Sequence, residues 1–426
     1  MAGAPQRVDI DALLADSDTD IIVCCGSGGV GKTTTAAALG LRAAEAGRRV
    51  VVLTIDPARR LAQSLGLTEL DNTPRPVAGV GEASGGSLDA MMLDMKRTFD
   101  EVVEAHSTPD KAAQILANPF YQAVSSSFAG TQEYMAMEKL GQLHAQAGRE
   151  GTWDLVVVDT PPSRSALDFL DAPKRLGSFL DGRFIRLLTA PARAGGRAYL
   201  KVFSVTATIA AATVSKVLGG AFLADVQTFV AALDTMFGGF RERADVTYAL
   251  LKEPATAFVV VAAPERDALR EAAYFVDRLE SEGMPLAGVV VNRMQALAAT
   301  GLSGGRATAA AEQLEDRLAN GRSGGGPDAG ASGSAEAVAP DAGPAGSAAG
   351  SPPASGAATD GDLAGLTPAL LRLHADLSAV AARHEGHVKR FVAGHPGVPV
   401  STVPASATDI HDLDGLRTVG EALAAG

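Results

Sequence analysis

Ile21-Ile22-Val23-Cys24-Cys25-Gly26-Ser27-Gly28-Gly29-Val30-Gly31-Lys32-Thr33-Thr34 decides the fold class of this chain. The run from Ile21 to Cys25 is apolar and free of turn formers, the pattern of a strand buried on both faces. Gly26 to Thr33 then fits G-x-x-x-x-G-K-[ST], and the Ala-rich stretch 34–45 reads as a helix. Strand, glycine-rich turn and helix in that order make a phosphate cradle. The glycines let backbone N–H groups turn inward, and the helix N-terminus adds its dipole. In such a cradle Lys32 neutralises the β- and γ-phosphates of a nucleotide, and the Thr33 hydroxyl is a ligand for Mg²⁺. The expected nucleotide-binding set is therefore Gly26, Ser27, Gly28, Gly29, Val30, Gly31, Lys32, Thr33 and Thr34.

On either side of this segment the same alternation continues. Short apolar runs at 50–55, 155–158, 258–261, 289–291 and 398–403, with a weaker one at 90–93, are separated by helical stretches. That βαβ signature predicts an α/β fold, a doubly wound, mostly parallel sheet of the P-loop NTPase type. Four of the runs end at Gly26, Asp56, Asp159 and Asn292, and ligands of open α/β sheets sit at the carboxyl ends of strands. Asp159 is expected to hold Mg²⁺ directly or through a water. Asp56, followed by Pro57, is expected to orient or deprotonate the water that attacks the γ-phosphate, so it joins Lys32 as a catalytic candidate; a turn-forming Asp-Pro is the plain alternative. The Asn292 amide offers both a donor and an acceptor to an adenine edge, and a strand-end cap is its plain alternative.

The 426 residues divide by composition into an N-terminal tail (1–19), a nucleotide-binding core (20–170, 253–320 and 363–426) and two interruptions. Residues 171–252 contain no strand-like run and predict an inserted helical subdomain. Within it Phe222, Val226, Phe229, Leu233 and Phe237 recur at steps of three or four, an apolar stripe that either packs on the sheet or lines a groove. Residues 321–362 are mostly Gly, Ala, Ser and Pro, too poor in apolar surface to offset their ordering entropy, and are expected to be disordered.

The formal net charge of −12 argues against nucleic acid as a partner. The best candidate for a membrane span, 202–215, falls short of the ~20 residues a bilayer needs. The only cysteines, Cys24 and Cys25, are adjacent and sit in the first strand, so they read as small buried hydrophobes of a cytoplasmic protein. His384-Glu385-Gly386-His387 lacks the H-E-x-x-H spacing of a zinc site and reads as a solvated helix face.

Together, Gly28 to Thr34, Asp56-Pro57-Ala58, Asp159-Thr160-Pro161-Pro162 and Val291-Asn292-Arg293 resemble the deviant-Walker ATPases of the ArsA family. That family includes the arsenite-pump ATPase and the factor that targets tail-anchored membrane proteins. Gly130-Thr131-Gln132-Glu133 and Pro264-Glu265 are further echoes. The resemblance implies Mg²⁺-dependent ATP hydrolysis, with Asp56 activating water in a first switch and Asp159 opening a second. It implies an adenine side built from Asn292, Arg293 and Pro404, a face-to-face dimer, and a client site in the helices after the second switch. Three departures qualify it. Ser27 stands where the family carries a signature lysine that reaches across the dimer, so the isolated chain is expected to be a weak ATPase that works as a homodimer or with a lysine-bearing paralogue. There is no C-x-x-C for a zinc clasp, and no cysteine outside the first strand to hold arsenite.

The leading expectation is thus an ArsA-like ATPase that couples nucleotide state to dimer rearrangement and to a helical site for an apolar client. A membrane-bound partner is the alternative, with the chain as energising subunit of an anion export system. A ParA- or MinD-like positioning ATPase is a third reading. The tail 409–426 speaks against it, since Asp409, Asp412, Asp414 and Glu421 oppose a single Arg417.

Overall fold

The computed structural model describes residues 6–55, 60–118, 121–122, 131–161, 242–323 and 360–426, with 60, 131–134, 321–323 and 360–365 as backbone alone. Asp56, the apolar stripe between Phe222 and Phe237, segment 202–215 and nearly all of segment 321–362 lie outside the described residues.

The apolar runs form strands. In chain order they are β1 Ile21–Cys25, β2 Arg49–Thr54, β3 Arg75–Pro76, β4 Ser87–Met92, β5 Leu155–Asp159, β6 Thr256–Ala262, β7 Leu286–Met294 and β8 Val400–Pro404. They make one eight-stranded sheet in the order β3-β4-β2-β5-β1-β6-β7-β8. Every neighbouring pair is parallel except the two-residue edge pairing of β3 with β4. The strand before the phosphate loop lies centrally, with Cys24 opposite Asp159 of β5 on one side and Val259 of β6 on the other. Chain order reverses there: β1 leads to β2 across β5, and later strands add on the β6 side. Such a switch point opens a crevice at the strands' carboxyl ends.

Helices cover both faces. They are α1 Ile10–Ala15, α2 Lys32–Glu45, α3 Arg60–Ser64, α4 Met95–His106, α5 Pro109–Leu116, α6 Thr131–Glu150, α7 Arg266–Glu282, α8 Gly304–Ser323, α9 Asp360–Gly394 and α10 Leu413–Ala425, with a helical stretch at 242–250. Alternation along β1 sorts the core into two layers. Ile21, Val23 and Cys25 pack with Val102 of α4, Leu140 of α6 and Phe275 of α7. Ile22 and Cys24 pack with Ala36 and Leu39 of α2 and Leu416 and Leu423 of α10. Apolar layers on both faces are what a doubly wound sheet requires, and they account for strands that read as continuous apolar runs.

Two compact units emerge from the packing: one comprises the chain up to Met294 and again from Gly386, the other Gln295–Glu385. In the second, α8 and most of α9 run antiparallel. Gly304 approaches Ser378 and Ala375, and Arg372 pairs with Glu315 at 2.5 Å. Among the described residues, no helix is long and apolar enough to cross a membrane.

Candidate functional site

The phosphate loop leaves β1 through Gly26, whose φ is 146°. A Cβ there would lie 2.0 Å from the carbonyl oxygen of Val261 in β6, so backbone occupies the space a side chain would need. Gly31, at φ 98°, caps α2 in the left-handed region, and a Cβ on it would lie 2.2 Å from Asn292 Nδ2. The loop is thus pressed against β6 on one side and β7 on the other, with Gly28 and Gly29 exposed at its tip. Lys32 opens α2 and is 5% exposed; its Nζ donates to the Ser27 carbonyl oxygen at 2.9 Å. The ammonium is therefore curled over the loop it would serve.

Asp159 ends β5 beside this loop and is fully buried. Its Oδ2 accepts from Thr33 Oγ1 at 2.6 Å and from Thr54 Oγ1, at the end of β2, at 2.9 Å. The carboxylate therefore bridges the carboxyl end of β2 to the first turn of α2. A hydroxyl and a carboxylate at contact distance are hard oxygen donors of the kind Mg²⁺ takes, with room kept for waters and phosphate oxygens. Thr33 and Asp159 fit that ion. After the strand, Thr160 turns back to β1, its backbone N–H and its Oγ1 both donating to the Cys24 carbonyl at 3.2 and 2.9 Å. The Ile55 N–H donates to the Asp159 carbonyl at 3.0 Å, so β2 is tied down up to the residue before Asp56.

A cleft of about 710 Å³ opens from the loop toward β8. Six of the expected residues line it together: Gly31, Thr33, Thr34, Asn292, Arg293 and Pro404. Asn292 does not end its strand, because β7 continues to Met294 across a register shift. Its Nδ2 donates to the Val30 carbonyl at 2.9 Å and its Oδ1 accepts from the Arg293 N–H at 2.9 Å. The amide thus ties β7 to the phosphate loop. Arg293 is the only non-glycine among the described residues with positive φ, at 63°, which turns its exposed side chain along the cleft wall.

The sequence reading missed Thr54, the second donor to Asp159, because a threonine in a strand looks like any β-branched filler. It also missed other lining residues of the cleft: Gln63 and Ser64 of α3, and Thr408, Asp409 and His411. No motif marks those residues. Both cysteines are buried, as expected; burial drives the Cys24 thiol well above its ordinary value and the Cys25 thiol up to about 12. The histidines of α9 serve as backbone clasps. His384 Nδ1 accepts from the Gln295 N–H at 3.2 Å and His387 Nδ1 meets the Pro264 carbonyl at 2.8 Å. No cluster of three or more metal-binding side chains occurs among the described residues.

Residues 19–305 match the ArsA family, described as anion-transporting ATPase. The chain is 32% identical over 180 residues to Protein Rv2184c of Mycobacterium tuberculosis, covering 39% of this chain and 41% of that protein. It is 29% identical over 171 residues to the ATPase GET3 of Malassezia globosa (40% and 47%), and 28% identical over 161 residues to the arsenical pump-driving ATPase of Escherichia coli (37% and 26%). The chain thus spans less than half the length of these curated relatives.

Proposed function

Because the chain belongs to the ArsA family of anion-transporting ATPases, we propose that it binds ATP with Mg²⁺ in this cleft and hydrolyses the γ-phosphate. One observation carries the reading. The 2.6 Å bond from Thr33 to Asp159 joins the phosphate-loop hydroxyl to a buried strand-end carboxylate, beside a loop with no room for a side chain at Gly26 or Gly31.

The loop N–H groups and the α2 dipole bind the phosphates, and Lys32 exchanges its Ser27 carbonyl for the β- and γ-phosphate oxygens. Thr33 and Asp159 hold Mg²⁺, which when bound neutralises charge on the phosphates. Asp56 takes the proton of the attacking water. Asn292, Arg293 and Pro404 bound the adenine side. The same nucleotide state sets the arrangement of a dimer, of like chains or with a lysine-bearing paralogue, and of a client site in residues 171–252. Hydrolysis by the isolated chain is slow, because Ser27 brings no cation to the partner's nucleotide.

Lys32→Ala tests this. ATP binding followed by calorimetry and phosphate release followed in the presence of Mg²⁺ should both fall, turnover to background. Hydrolysis at the wild-type rate would place the nucleotide site elsewhere.

A further inference from the structure

We propose that Leu366, Leu370, Leu373 and Leu377 of α9 form a self-association surface, against which α9 of a second copy of this chain lies antiparallel. Leu366, Leu370 and Leu373 are 51%, 62% and 53% exposed. The other exposed large apolar side chains among the described residues, Val246 and Tyr274, stand apart in sequence. Steps of four, three and four give the 3.5-residue period of a coiled-coil seam. α8 packs on a different side of α9, where Pro368 is buried and Gly304 abuts Ala375 and Ser378.

The chain's own connecting segment is a poor occupant. Between residues 324 and 359 it has Val338 as its sole large apolar residue. A lipid surface is also disfavoured. Residues 360–385 carry Asp360, Asp362, Asp376 and Glu385 against Arg372 and Arg383, whereas helices that lie on anionic membranes are rich in Lys and Arg.

A second copy fits by symmetry. With a two-fold axis between positions 371 and 372, Leu370 faces the partner's Leu373 and Leu366 faces the partner's Leu377, so each leucine meets a leucine. On the flanks Thr367 faces the partner's His374 and Ala369 faces the partner's Asp376, so no like charges oppose. Antiparallel packing also sets the two helix dipoles head to tail, which a parallel pair does not. This contact needs no nucleotide, so it is distinct from the ATP-dependent dimer proposed above.

Sedimentation equilibrium of the full nucleotide-free chain, across the micromolar range, should show a monomer–dimer equilibrium. Leu370→Glu and Leu373→Glu should each raise the dissociation constant at least ~10-fold while the thermal melt stays put, since both sites are exposed. For orientation, Leu370→Cys and Leu373→Cys chains of different tag length are oxidised together, the native thiols being buried. A mixed disulfide dimer is expected. A wild type that is monomeric throughout, glutamate variants that dimerise equally well, or disulfides formed only between like variants would each overturn the proposal. So would binding to anionic phospholipid vesicles that Leu370→Glu abolishes.

Discussion

Thr54→Val removes a single hydroxyl from the support of the buried Asp159. Thr54 is 1% exposed, and its hydroxyl donates to Asp159 Oδ2 at 2.9 Å. A hydrogen bond to a charged acceptor is worth about 1.5–3 kcal/mol. Valine keeps the shape and returns up to ~0.8 kcal/mol as a buried methyl, so the expected net loss is about 1–2 kcal/mol. At ~2–4 °C per kcal/mol for a domain of this general size, the melting temperature should fall by roughly 2–8 °C. Urea unfolding of the nucleotide-free protein measures the loss, with Thr54→Ser as the control that keeps the hydroxyl. A cycle with Asp159→Asn should return a coupling of at least ~0.5 kcal/mol between the two sites. Because the same carboxylate oxygen meets Thr33, Mg·ATP affinity should fall as well. If Thr54→Ser is as damaging as Thr54→Val, the methyl group's packing matters and the hydroxyl does not, which would refute the reasoning.

Three further outcomes are expected. Asp56→Asn should keep Mg·ATP binding in a calorimetric titration but lose phosphate release, since it removes a base and leaves the cradle intact; a parallel loss of both would make Asp56 a metal or structural residue. Gly26→Ala should abolish nucleotide binding and lower stability by more than ~1 kcal/mol, because its Cβ would meet the Val261 carbonyl at 2.0 Å and one backbone must shift; unfolding and nucleotide titration check both. Ser27→Lys should raise turnover of the isolated chain, a well-placed cation contributing on the order of 3 kcal/mol to the transition state; unchanged steady-state turnover would show that the cation at this position is irrelevant here.

The sheet was readable in the sequence because its strands are buried on both faces. Runs such as Val50 to Leu53 and Leu155 to Val158 leave no polar alternation to confuse with a helix, and each proved to be a strand. β3 was not readable, since two residues paired on one edge carry no periodicity. The register shift near Asn292 was hidden for a related reason: whether β7 stops or bends depends on its pairing with β8, more than a hundred residues away in sequence. At the site, the glycine-rich loop has a fixed spacing and announces itself. The loop after β8 also lines the cleft, and Ser406 or Thr408 looks like ordinary turn chemistry until folding brings it to the same cavity as Gln63.

The position of β1 has a consequence for how bound ligands register in the rest of the molecule. It is hydrogen-bonded to β5 and β6 on its two edges and buried along all five residues. Core strands paired on both edges open at free energies approaching that of global unfolding, so the loop at Gly26 is anchored in one of the parts of this unit expected to resist opening most. Under the proposed function, a nucleotide held by this loop should slow exchange in the sheet that anchors it as well as in the loop itself, and the accompanying shift in melting temperature should rank nucleotides against one another.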